Sequence, residues 1–303
     1  MPDPPERRRG GRALLRIPAP RFDLDLVARS HGWYDLAPFR YDEARGELSF
    51  EAQEEGRPFT VTVRSREGEL TATASRGAPP RAVRVAVRRV LDLDADLAPF
   101  HALCHAAKGN GFSWIARRGG GRILRAPSLF EDAVKVLATT NCSWNLTRLI
   151  VTDLIALAGV GGAFPTPAAV AAIPEARLRK EARLGYRAPF LAAFAQRVAS
   201  GKADLSRWED SGRSDDEVEQ EIRSEAGFGP YAAASIGRLL GRHAKLGLDS
   251  WSSKKVAAIR FKGRKVSDSR VERFYSPFGK WAGLAFWLDV TRDWHGRRER
   301  LWP

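Results

Sequence analysis

The sequence predicts an α+β protein, in which a small N-terminal antiparallel β domain precedes a mostly helical region. Three short segments are rich in β-forming residues and are separated from one another by glycines: 47–52, 58–64 and 69–74. Their apolar and polar side chains alternate, which favours an antiparallel meander with one buried face. From Ala82 onward the apolar residues recur at helical spacing. We therefore expect a basic flexible tail at 1–20, an α+β domain at 21–92 and a helical domain at 93–303.

The composition limits the class of protein. None of the apolar runs in the 303 residues reaches the roughly 18 residues that span a membrane, so no membrane partner is expected. The only cysteines are Cys104 and Cys142, too few for a disulfide scaffold or a four-cysteine site, and the five histidines lack paired ligand spacing. We therefore expect no metal. The first residues lack the apolar core of a signal peptide, which indicates a cytoplasmic protein.

The charge balance favours a nucleic-acid partner. Fifty Lys and Arg against 36 Asp and Glu give a formal net charge of +14, which attracts phosphate. Residues 250–280 carry nine basic side chains and only two acidic ones, so half of the net charge lies in this segment. The alternative from charge alone is a merely soluble basic protein.

Residues 214–240 predict two helices around a glycine hairpin. Ser214 and Glu217 have the spacing of a capping box that starts the first helix, and Pro230 suits the first position of the second. Glycines let the backbone approach a ligand closely, and the N–H groups at a helix N-terminus favour phosphate. The hairpin that we expect to contact a nucleic-acid backbone is Gly227, Phe228 and Gly229.

Asp249 lies twenty residues after Gly229 and directly precedes a predicted helix at 250–261. The hairpin and this aspartate resemble the helix-hairpin-helix DNA glycosylases, the superfamily of bacterial 3-methyladenine DNA glycosylase II and 8-oxoguanine DNA glycosylase. Segments 129–150 and 275–287 resemble the helices around that family's wedge loop and its C-terminal helix. The usual hairpin proline is replaced by Ala226 and the usual branched residue by Phe228. The resemblance implies a sheet beside two helical lobes, with the active site in the cleft between them.

The resemblance assigns the catalytic role to Asp249. Cleavage of an N-glycosidic bond builds positive charge on the sugar, and a nearby carboxylate stabilises that charge or aligns the attacking water. The alternative is that Asp249 is a helix N-cap, worth about 0.5–2 kcal/mol of stability without any catalysis. Both roles are compatible, because a helix N-terminus also favours an ionised carboxylate.

Bifunctional members of the family carry a nucleophilic lysine two residues after the second hairpin glycine. Tyr231 occupies that position here. The resemblance therefore implies a monofunctional enzyme that uses water and leaves an abasic site, with Tyr231 beside the DNA backbone. Lys254 and Lys255 lie about one helical turn beyond Asp249, and we expect them to contact phosphate or to remain solvated charges.

The resemblance also locates the loop that enters the duplex when the target base is flipped out. This wedge loop is expected at Asn141, Cys142 and Ser143, after a helix that Ser128 and Glu131 open with a second predicted capping box. The alternative is an ordinary polar loop between two helices.

The base pocket is predicted by the same resemblance. Tyr231 and Trp287 match aromatic positions that suit cationic alkylated purines through stacking and cation–π attraction. Ser235 and Ser250 match two further aromatic positions and would make the pocket wider and more polar. Trp251 and Trp281 are expected in the core.

Together these features predict a monofunctional DNA glycosylase of base excision repair that acts as a monomer on double-stranded DNA with a damaged base. An alkylated purine is favoured, 8-oxoguanine or a bulky modified base is the alternative, and a lesion-binding protein without activity is the other class. No cofactor is expected, since two cysteines exclude a four-cysteine iron–sulfur cluster. A monovalent cation at the hairpin is compatible with this expectation.

Overall fold

The computed structural model describes residues 15–19, 22–107 and 111–295. Its N-terminal part is a five-stranded antiparallel sheet with the order β1-β5-β4-β3-β2. The strands are β1 (Leu15–Pro18), β2 (Arg40–Asp42), β3 (Glu47–Glu54), β4 (Arg57–Arg66) and β5 (Glu69–Ala74). The predicted α+β class is confirmed.

The predicted meander corresponds to β3, β4 and β5, whose alternate side chains are buried. The sequence did not predict β2, and it placed β1 in the tail. β1 pairs with β5, opposing Leu15 to Ala72, so residues 15–18 belong to the sheet. Residues 1–14 of the predicted tail lie outside the described residues.

The helices of the described residues follow the sheet, except for the first, which lies between β1 and β2. They are α1 (Leu24–Ala28), α2 (Pro80–Val90), α3 (Ala98–Ala106), α4 (Ser113–Arg118), α5 (Leu129–Thr139), α6 (Trp144–Ala158), α7 (Pro167–Ala171), α8 (Glu175–Lys180), α9 (Ala188–Ala199), α10 (Ser206–Glu209), α11 (Asp215–Ser224), α12 (Pro230–Leu239), α13 (Ser250–Arg260), α14 (Asp268–Tyr275) and α15 (Ala282–Val290). None of the helices in the described ranges has both the length and the apolar character needed to cross a membrane.

The C-terminal helix begins later than the predicted 275–287. Residues Ser276–Trp281 form 3₁₀ turns, and Gly279 interrupts them with a φ of 54°, so α15 begins at Ala282. Residues 296–303 of the predicted helical domain lie outside the described residues.

A buried polar network joins the sheet region to α5. The Trp33 indole N–H donates to Asp132 Oδ1 at 2.8 Å, and Arg89 of α2 donates to Asp132 Oδ2 at 3.2 Å. The predicted capping box at α5 is only half formed. Ser128 Oγ accepts from the Glu131 N–H, but the Glu131 carboxylate accepts from Lys135 Nζ at 2.6 Å instead of from the cap. This network fixes Trp33 and its neighbours against α5.

Candidate active site

The glycine hairpin joins α11 to α12 as predicted. Ser214 and Glu217 form the reciprocal capping box, and Gly229 is the N-cap of α12. Gly227 has a φ of +90°, and a Cβ on it would lie 2.9 Å from the Phe190 side chain, so this position requires glycine. A Cβ on Gly229 would meet no atom within 4 Å. The backbone at Gly229 is therefore open to a ligand.

Phe228 anchors the hairpin and does not offer the predicted contact to DNA. Its side chain is buried and packs on Phe194, with ring centroids 4.9 Å apart. Its N–H donates to the Glu225 carbonyl at 3.1 Å. The side chain and the N–H of Phe228 are therefore both engaged within the protein, whereas the space beside Gly229 is open.

Asp249 is the N-cap of α13, as the structural alternative required. Its Oδ1 accepts from the Ser252 N–H and from the Ser252 hydroxyl, both at 2.7 Å, and Ser252 Oγ accepts from the Asp249 N–H at 3.0 Å. All of the cap's contacts to this carboxylate use Oδ1. The half-buried carboxylate also lines a cavity, so the cap leaves Oδ2 for a second role.

This cavity has a volume of about 480 Å³ and lies where α12, α13 and α15 meet the wedge loop and the segment that follows α1. It brings together residues that are far apart in the sequence and that the resemblance predicted to act together: Cys142, Tyr231, Ser235, Asp249, Lys255 and Trp287. The cavity is large enough to receive one nucleobase.

The predicted locations of Ser250 and Trp251 on α13 are reversed in the structure. Ser250 is exposed and does not line the cavity, whereas Trp251, predicted in the core, does line it and is 38% exposed. Adjacent helix residues point about 100° apart, and here Ser250, the first residue of α13, is turned toward solvent while Trp251 and Ser252 line the cavity. Lys254 is exposed, and Lys255 donates to Asp293 Oδ2 at 2.6 Å.

The predicted wedge loop lies between α5 and α6. Arg187, which the sequence did not single out, holds this loop through hydrogen bonds to its backbone. The buried Arg187 donates from Nε to the Thr140 carbonyl and from Nη2 to the Asn141 carbonyl, both at 2.9 Å. Asn141 has a φ of 44°, and both Asn141 and Ser143 are exposed. Of the three predicted loop residues, only Cys142 lines the cavity.

The N-terminal domain supplies a further wall that the sequence analysis did not assign to the site. This N-terminal wall comprises His31, Gly32, Trp33, Tyr34 and Asp35. It is tied to the helices by three indole N–H groups: Trp33 donates to Asp132, Trp144 donates to Asp35 at 2.7 Å, and Trp287 donates to the Ser30 carbonyl at 2.7 Å.

His31 is the buried histidine of the N-terminal wall. Its ring stacks on Trp287 with centroids 5.5 Å apart. Burial, with the positive charges of Arg238 and Lys135, lowers the pKa of His31 to about 3. The imidazole is therefore neutral near pH 7.

Arg238 places a buried positive charge in the cavity. It is 3% exposed, its guanidinium carbon lies 4.6 Å from the centroid of the Trp287 ring, and its Nη2 donates to the Leu246 carbonyl at 2.7 Å. Burial lowers the pKa of Arg238 to about 10, so it remains protonated near pH 7. The sequence held a signal for it, since Tyr231, Ser235 and Arg238 have the i, i+4, i+7 spacing of one helix face.

Within the described residues, no group of three or more His, Cys, Asp or Glu side chains is placed to hold a metal ion. The polar groups that line the cavity include the carboxylates of Asp35 and Asp249, the guanidinium of Arg238, the amine of Lys255 and the neutral imidazole of His31, beside indole rings.

Comparison with solved structures places the fold among DNA glycosylases. A 3-methyladenine DNA glycosylase from Archaeoglobus fulgidus aligns with a TM-score of 0.74 and 18% identity, over 93% of this chain and 99% of that chain. The Clostridium acetobutylicum 8-oxoguanine glycosylase/lyase, in complex with double-stranded DNA containing cytosine opposite 8-oxoguanine, aligns with a TM-score of 0.71 and 19% identity, over 90% and 91%.

No protein-family model matches the chain, and a search of curated proteins found no match. The likeness to solved structures shows a fold shared with these DNA glycosylases.

Proposed function

We propose that the protein is a monofunctional DNA glycosylase of base excision repair, acting as a monomer on double-stranded DNA with a damaged base. The observation that carries this proposal is the position of Asp249. Asp249 lines a cavity large enough for a nucleobase, together with Cys142 of the predicted wedge loop and Tyr231 of α12. A base flipped from the duplex can occupy this cavity while the wedge loop fills the gap that it leaves.

In the proposed reaction Asp249 acts on the sugar. As the C1′–N bond breaks, positive charge develops on the sugar ring, and a fixed carboxylate stabilises it in a site that excludes bulk water. The cap holds the carboxylate through Oδ1, so its position does not depend on substrate binding. Water then attacks C1′ and leaves an abasic site.

The absence of an amine at position 231 supports water as the nucleophile. Tyr231 stands where bifunctional relatives carry lysine, and its phenol cannot form a Schiff base. Lys255 is the lysine that lines the described cavity, and its amine is paired with Asp293.

Contacts to the DNA backbone are proposed at the open hairpin glycine and along the basic C-terminal segment. Gly229 leaves the N-terminus of α12 accessible, and Lys254 is exposed beside the cavity. The net charge of +14 strengthens such contacts through counterion release.

The experiment is a screen of purified protein on duplexes that each carry one damaged base, followed by alkaline cleavage of abasic sites. We expect strand cleavage only after alkali, and no covalent adduct after borohydride treatment. Efficient trapping would overturn the monofunctional assignment. Tight binding of a lesion without base release would identify a lesion-binding protein instead.

A further inference from the structure

Two buried polar atoms in the cavity wall have no hydrogen-bond partner among the described residues: Nε of Arg238 and Nδ1 of His31. Both residues line the cavity, and both are less than 10% exposed. Buried polar groups are normally paired, and an unpaired one costs free energy. A bound base that accepts a hydrogen bond from Arg238 would remove this cost.

The charge of the cavity favours one class of base over another. Among the described residues Arg238 makes no salt bridge: its buried side chain donates to the Leu246 carbonyl, and the Asp249 carboxylate acts on it only through a longer-range attraction. The Trp287 ring, predicted to attract a cationic base, already stacks with the Arg238 guanidinium. His31 is neutral and adds no charge. Of the carboxylates that line the cavity, Asp35 accepts from the Trp144 indole N–H and lies 3.7 Å from Arg148 Nε, while Asp249 is held at the cap of α13. A cationic base bound here would lie beside a fixed cation, which disfavours it.

We propose that Arg238 makes the cavity selective for an uncharged damaged base with acceptor atoms, and that it discriminates against cationic alkylated purines. This inference rests on the proposed glycosylase function and replaces the substrate that the sequence favoured.

The chemistry of the leaving group gives Arg238 a role in the reaction as well as in binding. When the C1′–N bond of an uncharged base breaks, the electron pair stays on the base nitrogen and the base leaves as an anion, which a guanidinium stabilises. A cationic base leaves as a neutral molecule and gains nothing from that charge. Water supplies the oxygen that bonds to C1′, Asp249 accepts the proton that this water loses, and the base anion takes a proton from solvent.

The test compares 8-oxoguanine and hypoxanthine, which are uncharged, with 7-methylguanine, which is cationic and close to 8-oxoguanine in shape. For each base, the single-turnover rate constant of release from duplex DNA is divided by the rate constant of spontaneous release. This quotient is the acceleration of release. The proteins are the wild type, Arg238→Gln, Arg238→Lys and the control Arg223→Gln. Arg223 is a half-exposed arginine on α11 paired with Glu219, outside the cavity.

We expect the wild type to accelerate release of an uncharged base more than release of 7-methylguanine. Arg238→Gln should lower the ratio of the two accelerations by about tenfold or more, which corresponds to about 1.4 kcal/mol. Arg238→Lys keeps the charge and should retain part of the ratio. Arg223→Gln should leave it unchanged.

A wild-type preference for 7-methylguanine, or an unchanged ratio in folded Arg238→Gln, would overturn the inference and leave the glycosylase function standing. Should Arg238→Gln fail to fold, the wild-type preference and the Arg238→Lys ratio still decide the question. If the wild type releases none of the three bases, and no lesion in the wider screen, the glycosylase function fails as well.

Discussion

Two walls of the same cavity differ in how the chain builds them. The hairpin wall comprises Tyr231, Ser235, Arg238 and Asp249, and it is positioned by caps and helix spacing within a segment of about twenty residues. The N-terminal wall, His31 to Asp35, is positioned by hydrogen bonds to partners about one hundred or more residues away. The hairpin wall carries the buried guanidinium of Arg238 and the carboxylate of Asp249, whereas the N-terminal wall carries rings, a neutral imidazole and the Asp35 carboxylate, which accepts from Trp144.

This difference teaches that damage to the two walls should have different consequences. A charge on the hairpin wall can be removed while the cap and the core remain, so activity is lost and stability is kept. The N-terminal wall depends on buried hydrogen bonds, so its loss lowers stability first. Five substitutions, at Asp249, Trp33, Gly227, Gly229 and His31, test this contrast.

The largest effect is expected from Asp249→Asn. Asparagine still accepts hydrogen bonds at the N-cap, but it cannot stabilise positive charge on the sugar. Base release should fall by about 10²–10³-fold, roughly 3 kcal/mol of barrier, while DNA affinity and melting temperature stay close to wild type. The matched control is Ser214→Ala, which removes the cap of α11 and should cost about 1 kcal/mol of stability without loss of excision. Normal excision by Asp249→Asn would mean that Asp249 acts only as the N-cap of α13.

The next effect is expected from Trp33→Phe on the N-terminal wall. This change removes one of the two N–H groups that donate to Oδ1 of the fully buried Asp132, the other being the Ala126 N–H at 2.8 Å, and the loss of a hydrogen bond to a charged group costs about 1.5–3 kcal/mol. The control is Trp114→Phe, because the Trp114 indole N–H is buried and has no partner among the described residues. Urea unfolding should show a larger loss for Trp33→Phe. Equal losses would mean that the hydrogen bond to Asp132 contributes nothing measurable.

Substitutions at the two hairpin glycines should affect different properties, stability at Gly227 and DNA binding at Gly229. Gly227→Ala should lower stability by about 1–2 kcal/mol from its positive φ alone, with the contact to Phe190 adding to this cost. Gly229→Ala meets open space at a φ of −80°, so stability should be unchanged. Gly229→Ala should nevertheless weaken binding to damaged and undamaged duplexes alike, because phosphate contacts do not read sequence. Unchanged affinity would place the phosphate contact elsewhere.

The smallest effect concerns pH and His31. Its folded pKa of about 3 lies below the ordinary 6.5, so protons bind preferentially to the unfolded chain once the pH falls below 6.5. The stability present above pH 6.5 is therefore lost progressively toward pH 3, by about 1.4 kcal/mol at pH 5.5. His31→Gln should reduce the loss of unfolding free energy between pH 7.5 and 5.5 by that amount. His105→Gln, at an exposed position, is the control and should change nothing.

The basic segment after Asp249 shows the limit of charge counting. The sequence located the excess of positive charge at 250–280, but the structure pairs Lys255 with Asp293 and buries most of Arg260 against Asp289. Lys254 stays exposed. Which cations face a ligand depends on carboxylates that lie roughly 30 to 40 residues further along the chain, and a count within the segment cannot include them.

The sequence by itself determined the hairpin, the caps at Ser214 and Asp249, the β3–β5 meander and the fold class. Each of these rests on contacts between residues a few positions apart or on periodicity along one element, so neighbouring residues are enough to specify it. Tertiary structure decided the rest of the site: it placed Arg238 on Trp287, tied Trp33 to Asp132, supported the wedge loop with Arg187, and turned Ser250 out while Trp251 turned in. These features depend on packing between distant elements, and it is that packing which sets the charge and shape of the cavity.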